Sequence, residues 1–392
     1  MRVAFTLIDS TRWTGGYNYL LNLFKSIQNY ESDHINPILF CGEDVVKHDV
    51  DAFLNAGDIA VVRSSVFDAH RKMANIMRAC LFGVDSHALH VFRRHQVDVV
   101  FENAAFYGRC FPIPTIAWLP DFQHRHLRHQ FSVRAYWQRE LGYRAQVASD
   151  RVIMLSSEDA RKDCERFYPS VKGRTTVVRF AAFISSDLIN SSPEKVVQEY
   201  GLPSRFFYLP NQFWKHKNHL VVIEALGLLK RQGIELVVAV TGSPLDPRHP
   251  EYIGQLHSRI ESLGLRENFR IIGLVPRPHV IALMQTCTAL INPSFCEGWS
   301  STVEEARVLG VPMLLSDIAV HREQMERGAT YFRPDDIEGL AVTMRTMALA
   351  DSPVMPTRAP EVRSYEHVRR FAQDFVAVAE RAVRQSQLKN VA

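Results

Sequence analysis

One rhythm constrains this chain more than any other feature. Short apolar runs alternate with stretches whose apolar residues recur every three or four positions. Val3–Ile8, Pro37–Phe40, Ile59–Val62, Val97–Phe101, Thr115–Leu119, Val152–Ser156 and Thr175–Arg179 read as buried strands. Tyr17–Gln28 carries Tyr19, Leu20, Leu23, Phe24 and Ile27 on one helical face, and Ala69–Phe92 reads as a further helix. The rhythm restarts at Phe206–Leu209. Strands at Leu236–Thr241, Phe269–Ile272, Ala289–Ile291 and Pro312–Ser316 then alternate with helices at Asn218–Gln232, Tyr252–Leu263, His279–Cys287, Thr302–Leu309 and Ile337–Ala350. A strand that is apolar throughout must be covered on both faces, and a helix after each strand provides that cover in a parallel sheet.

Two such runs predict an α/β chain of two doubly wound, Rossmann-like parallel-sheet domains. A length of 392 residues suits that division. The boundary is expected near Ile184–Val197, where Ser-Ser-Asp and Ser-Ser-Pro-Glu make a turn-rich stretch. Residues 1–190 form the first domain and 198–364 the second. Tyr365–Gln387 repeats apolar residues at Val368, Phe371, Phe375, Val378 and Val383. That spacing predicts a helix long enough to cross between domains, so 365–392 is assigned to completing the first. Ligands of such sheets bind outside the carboxyl ends of the strands, which directs the search to an interdomain cleft.

Charge and cysteine usage narrow the function. Lys+Arg number 46 and Asp+Glu 42, too balanced for a dedicated nucleic-acid binder. No apolar run reaches the 18 or so residues of a membrane span. The start, Met1 to Asp9, has one positive charge and an apolar stretch cut short by Asp9, a buried strand and not a signal peptide. Six cysteines are scattered without CxxC spacing, so a disulfide framework or zinc ribbon is not expected and a reducing cytoplasm is.

Four strand-to-helix junctions carry polar chemistry. Asn292 to Arg307 follows a strand and opens a helix. Ser300, Ser301 and Thr302 supply capping hydroxyls there, and the helix start offers N–H groups and a positive dipole end to a phosphate. Glu297 and Glu305, eight apart, can face one cavity, and a carboxylate accepts from vicinal sugar hydroxyls. The alternative is that Glu304 and Glu305 serve only as capping-box and dipole residues. The second junction, Leu209 to His219, packs Lys215, His216, Lys217 and His219 into five residues. It is either a cationic partner for a diphosphate or a solvated basic loop. The third places Gly15-Gly16 after the first strand, letting backbone approach a ligand or simply making a turn. There is no GxGxxG. The fourth, Trp118 to His129, puts Asp121 and His124 at a strand end.

Two weaker signals complete the reading. Phe122–Arg151 holds six arginines and several aromatics, a surface for an anionic acceptor or membrane headgroups, or else an ordinary helix face. Asp49-Val-Asp51 matches a short DxD pattern that can hold a nucleotide-bound cation, against a chance surface match. His124, His126 and His129 lack a carboxylate or cysteine to complete a metal site.

At these residues the sequence resembles the retaining glycosyltransferases of the GT-B group called family 4, in which mannose-type donors are frequent. Glu297–Glu305 matches the group's E-x7-E motif. Phe295 to Ala306 with Gly310 to Ser316, Lys217-Asn218, and Gly15-Gly16 match its other motifs in order. The resemblance runs along nearly the whole chain and is densest over residues 206–335. It implies a hexosyl transfer with retention from a nucleotide-diphosphate sugar to a glycan or lipid-linked acceptor, in cell-surface polysaccharide synthesis, with no cofactor and no metal. Glu305 would hold the ribose and Glu297 the transferred sugar. Lys217, Lys215 and Gln212 would face the diphosphate with Gly298, Ser300, Ser301 and Thr302, while Gly15 and Gly16 close from the other domain. Asp121 and His124 would approach the sugar. A peripheral contact with the inner face of the membrane is allowed for. Where members often carry an arginine, this chain has Asn211 and Gln212, and Pro120-Asp121 stands where many have His-Asp. A nucleotide-sugar epimerase or hydrolase, or a sugar-nucleotide binding protein, are the alternative functions.

Overall fold

The computed structural model describes residues 1–392 except 12, 104, 186–187, 189–191, 351–361 and 392, and gives the backbone alone for 362–364 and 389–391. Much of the turn-rich stretch expected at the domain boundary lies outside the described residues. Two compact units are present. The first comprises Met1–Phe122, Val133–Phe183 and Tyr365–Ala392; the second comprises Gln123–Ser132 and Ile184–Ser364.

The first unit has seven strands: β1 (Arg2–Thr6), β2 (Asn36–Cys41), β3 (Ala60–Arg63), β4 (Val99–Asn103), β5 (Thr115–Leu119), β6 (Val152–Leu155) and β7 (Thr175–Val177). Their order is β3-β2-β1-β4-β5-β6-β7, and every pairing is parallel. The order reverses between β1 and β4, the switch point of a doubly wound sheet. The second unit repeats the plan with β8 (Phe207–Leu209), β9 (Val238–Thr241), β10 (Phe269–Gly273), β11 (Ala289–Asn292), β12 (Met313–Ser316) and β13 (Ala329–Phe332). Its order is β10-β9-β8-β11-β12-β13, again parallel, with the switch between β8 and β11.

The cores follow the apolar runs. β4, β5 and β6 are buried at every residue, as the near-continuous apolar sequence requires. The C-terminal helix Val362–Val391 packs within the first unit. Phe375 sits 5.6 Å from both Phe5 and Phe101, and Phe371 lies 5.5 Å from Tyr19. Such aromatic clusters add to the area they bury.

Two expectations are corrected. Ala69–Phe92 is not one helix. Lys72–Phe82 ends at Gly83, whose φ of 74° is the left-handed stop, and Ser86–Arg94 starts afresh on Asp85. Asp85 accepts from the His87 and Ala88 amides, so cap chemistry overrides the apolar spacing. Gly15-Gly16 does not precede the first helix. It lies inside the first turn of Thr14–Tyr30, and a Cβ on Gly16 would meet the Trp13 ring at 2.5 Å. The missing side chain makes room for an indole that stacks on Trp118.

Candidate functional site

The site in the second unit forms where the loops after β8 and β11 meet. The β8 loop turns through a single 3-10 turn, Lys215–Lys217, and the helix His219–Arg231 follows. Asp246 fixes that turn by accepting from the Lys215 and Arg248 amides at 3.0 and 2.9 Å. The Phe295 amide donates to the His216 carbonyl at 2.9 Å, which ties the β11 loop to it.

Asn218 is the pivot of this junction. Its φ of 57° is left-handed, a conformation asparagine adopts more readily than most residues. Its amide donates to the carbonyls of Pro293, at 3.1 Å, and Pro334, at 2.8 Å. Three loops are therefore held by one side chain. Asn218→Ala should cost about 2–4 kcal/mol, combining two orphaned carbonyls with left-handed strain. Asn218→Gly should recover part of that loss. Urea unfolding checks both, and equal stability of wild type and the alanine variant would refute the pivot.

Within this frame Lys217 and Glu297 meet. Lys217 Nζ lies 2.6 Å from Glu297 Oε1, with side-chain exposures of 18% and 9%. The Ser294 hydroxyl reaches the same carboxylate oxygen at 2.7 Å. Below them the Ser316 hydroxyl donates to the Ser294 carbonyl at 2.6 Å. His321 Nδ1 donates to the Ser316 carbonyl at 2.9 Å. Burial lowers the His321 pKa, and Glu297 pulls against that shift. Ser316 and His321 were not singled out by sequence, although Ser316 ends a matched motif.

The helix Ser301–Val308 is capped by Ser300, whose hydroxyl accepts from the Val303 amide at 3.4 Å. Asn292 donates to the same hydroxyl at 2.9 Å. Gln324 binds the Ser300 backbone at both ends, its Oε1 accepting from N and its Nε2 donating to O, each 3.0 Å. Ser301, Thr302 and Gly298 flank this cap, half-buried. The capping-box reading of the glutamates does not survive, because Val303 holds the third helical position. Glu304 is fully buried with Arg307 and Gln324, and burial raises its pKa. Glu305 instead receives Arg277 Nη1 at 2.6 Å, a cation the sequence reading missed.

Other predicted residues fare differently. The basic loop is less cationic than its composition. His216 is buried, and His219 stacks on Phe213 at 4.5 Å with burial pushing its pKa down to about 3. Asn211 is buried and donates to Asn292 Oδ1 at 3.3 Å, so that position supplies no charge. Gln212 is half-buried, and a Cβ on Gly242 would strike the Asn211 carbonyl at 2.5 Å. Asp121, in the first unit, pairs with Arg139 at 2.7 Å. His124 falls in the segment that groups with the second unit and is fully buried. Asp49 and Asp51 lie two apart on the helix Lys47–Leu54, and such residues point to different sides. Asp49 accepts from the Ser10 hydroxyl at 2.8 Å. Among the described residues no group of three or more His, Cys, Asp or Glu is placed to hold a metal ion. No described helix is long and apolar enough to cross a membrane.

Residues 195–352 match the family model described as glycosyl transferases group 1. Over this stretch the chain is similar to group 1 glycosyltransferases. The stretch contains the Lys217 loop, the Glu297 loop and the helix bearing Glu305. Solved structures share the fold of the whole chain. A glycosyltransferase from Rickettsia africae aligns at a TM-score of 0.63 and 14% identity, over 100% of this chain and 96% of that one. HepE from Anabaena, solved with UDP and glucose, aligns at 0.66 and 17%, over 100% and 98%. WaaG, a glycosyltransferase involved in lipopolysaccharide biosynthesis, aligns at 0.60 and 15%, over 98% of each. These likenesses establish the GT-B fold for the chain. No curated protein matches the sequence.

Proposed function

We propose that the chain is a retaining glycosyltransferase, moving a hexosyl unit from a nucleoside-diphosphate sugar to a glycan or lipid-linked acceptor in polysaccharide synthesis. The observation that carries this reading is the Lys217–Glu297 pair, held at 2.6 Å inside the stretch similar to group 1 glycosyltransferases. As the anomeric C–O bond breaks, negative charge grows on the departing diphosphate. Lys217 and the N–H groups at the start of Ser301–Val308 are fixed in advance and stabilise it without reorganising. Lys215 adds charge at the edge of the same loop. Glu297 accepts from sugar hydroxyls and Glu305 from the ribose.

Arg277 belongs in this proposal. Asn211 and Gln212 leave a cation missing, and Arg277 rests on Glu305. Ribose hydroxyls that engage Glu305 would release its guanidinium toward a phosphate. The proposal calls for no metal. HepE has been solved with UDP-glucose, which supports a nucleotide-sugar partner of this class. Six free cysteines suit a reducing compartment. A peripheral membrane contact would use Val133, Trp137 and Leu141, exposed at helical spacing on Val133–Val147.

A thermal-shift panel of UDP, GDP, ADP, dTDP and CMP with EDTA present tests the donor site. One diphosphate series should raise the melting temperature selectively. Glu305→Ala and Arg277→Ala should each reduce that shift. No shift with any nucleotide at millimolar concentration would reject the donor site and leave a glycan-binding protein.

A further inference from the structure

A second cavity lies wholly within the first unit, outside the carboxyl ends of β1 to β4, at the point where the strand order reverses. Its volume is about 590 Å³, room for a saccharide of one or two rings. Phe67, Phe106 and Tyr107 form part of an apolar wall. The polar lining is one-sided. Asp44, Asp49, Asp68 and Asp85 all contribute, and among the described lining residues Lys72 is the one cation.

Two of those carboxylates have an oxygen left over. Asp68 is 8% exposed and Asp85 is 2% exposed. Asp68 Oδ1 accepts from the Glu43 amide at 2.8 Å, and Asp85 Oδ1 accepts from the His87 and Ala88 amides at 3.1 and 3.2 Å. Arg78 also approaches that same Asp85 oxygen, at 3.8 Å. No described group donates to either Oδ2. Neither oxygen is spent on a protein donor, so a ligand carrying O–H or N–H groups can be accepted there. An anionic ligand adds repulsion from the same oxygens.

We propose that this cavity binds an uncharged or amino-bearing saccharide, with Asp68 and Asp85 accepting from its hydroxyl or ammonium groups, and rejects phosphorylated or carboxylated sugars. Resting on the transfer reading above, this ligand is the acceptor. The apolar wall takes the C–H face of a sugar ring or an apolar aglycone, and the buried carboxylates set the charge rule.

The test uses the full chain and a matched pair of probes, p-nitrophenyl β-D-glucoside and p-nitrophenyl β-D-glucuronide, which differ in one carboxylate. Saturation-transfer NMR titrations should give the glucoside at least about tenfold tighter binding. Asp68→Asn keeps the Oδ1 acceptor for Glu43 and turns Oδ2 into a donor. Asp85→Asn likewise keeps the helix cap. Each should weaken the glucoside about tenfold and narrow its gap to the glucuronide to about threefold or less, with an unchanged melting temperature. Equal binding of the two probes, no effect of either variant, or displacement of the glucoside by Ca²⁺ alone would overturn the proposal. Nucleotide binding at the second unit separates the two readings. A nucleotide shift without glucoside binding defeats the cavity inference alone. Glucoside binding without any nucleotide shift defeats the transfer reading and leaves a saccharide site.

Discussion

Lys217→Ala will lower kcat/KM for the donor on the order of 10²–10³-fold, the range seen when one fixed donor to a developing anion is removed. The expectation follows from where the ammonium is held. Lys217 is largely buried and aimed into the β11 loop by the turn that Asp246 and Asn218 fix. It carries no conformational freedom to lose when a diphosphate arrives. The loss should fall mainly on kcat, because charge on the leaving group peaks in the transition state. Diphosphate affinity should drop more than monophosphate affinity. Lys217→Arg should restore little, since a planar fork cannot occupy a site shaped for a point charge against Glu297 and Ser294. Steady-state kinetics with titration of both nucleotides checks this. A fall confined to KM, with kcat intact, would show that Lys217 grips substrate and transition state alike and would remove it from the chemistry. Loss of the Glu297 partner is controlled by comparing melting temperatures.

The sequence made this junction legible because its residues sit close in the chain and at strand ends. Lys217 and Glu297 are eighty apart, yet each follows an apolar run by a few positions, and parallel topology brings the ends of β8 and β11 together. Local spacing could not reveal what other residues do. Asn218 matched as the neighbour of a lysine, and only its left-handed backbone and two carbonyl partners show that it fixes three loops. Arg277 opens the helix Arg277–Thr286, with no motif to flag it. Gly16 gives room to the Trp13 ring, a packing contact that a glycine pair does not announce in sequence. Gly83 and Asp85 carried a stop and a start signal, which the apolar spacing of Ala69–Phe92 masked. The long basic run shows a plainer limit. Composition counts charges and does not see their partners.

Arg151 shows what that run conceals and gives the largest expected stability effect. It is the last arginine of the stretch read as a surface for anions, yet its side chain is 4% exposed and its partner Glu102 is 0% exposed. Arg151 Nε and Nη2 reach the two Glu102 oxygens at 2.7 and 3.0 Å, and Nη2 also donates to the Gly108 carbonyl at 2.9 Å. Glu102 further accepts from the Tyr107 amide at 2.8 Å and from Gln146 at 3.2 Å. Arg151→Met should therefore destabilise the first unit by about 3–5 kcal/mol, chiefly because Glu102 stays buried without a counter-charge. Glu102→Gln keeps an acceptor for the Tyr107 amide and strands Arg151 instead. The double variant removes both charges and should be more stable than either single one, so the interaction term in urea unfolding should be large and favourable. A double variant no better than Arg151→Met would mean that packing at this site outweighs charge. The consequence reaches the cavity. Glu102 and Arg151 grip the backbone at Tyr107 and Gly108, and Phe106 and Tyr107 are part of its wall. Arg151→Met should thus loosen glucoside binding even at temperatures where the unit remains folded, whereas any nucleotide shift carried by the second unit should not change.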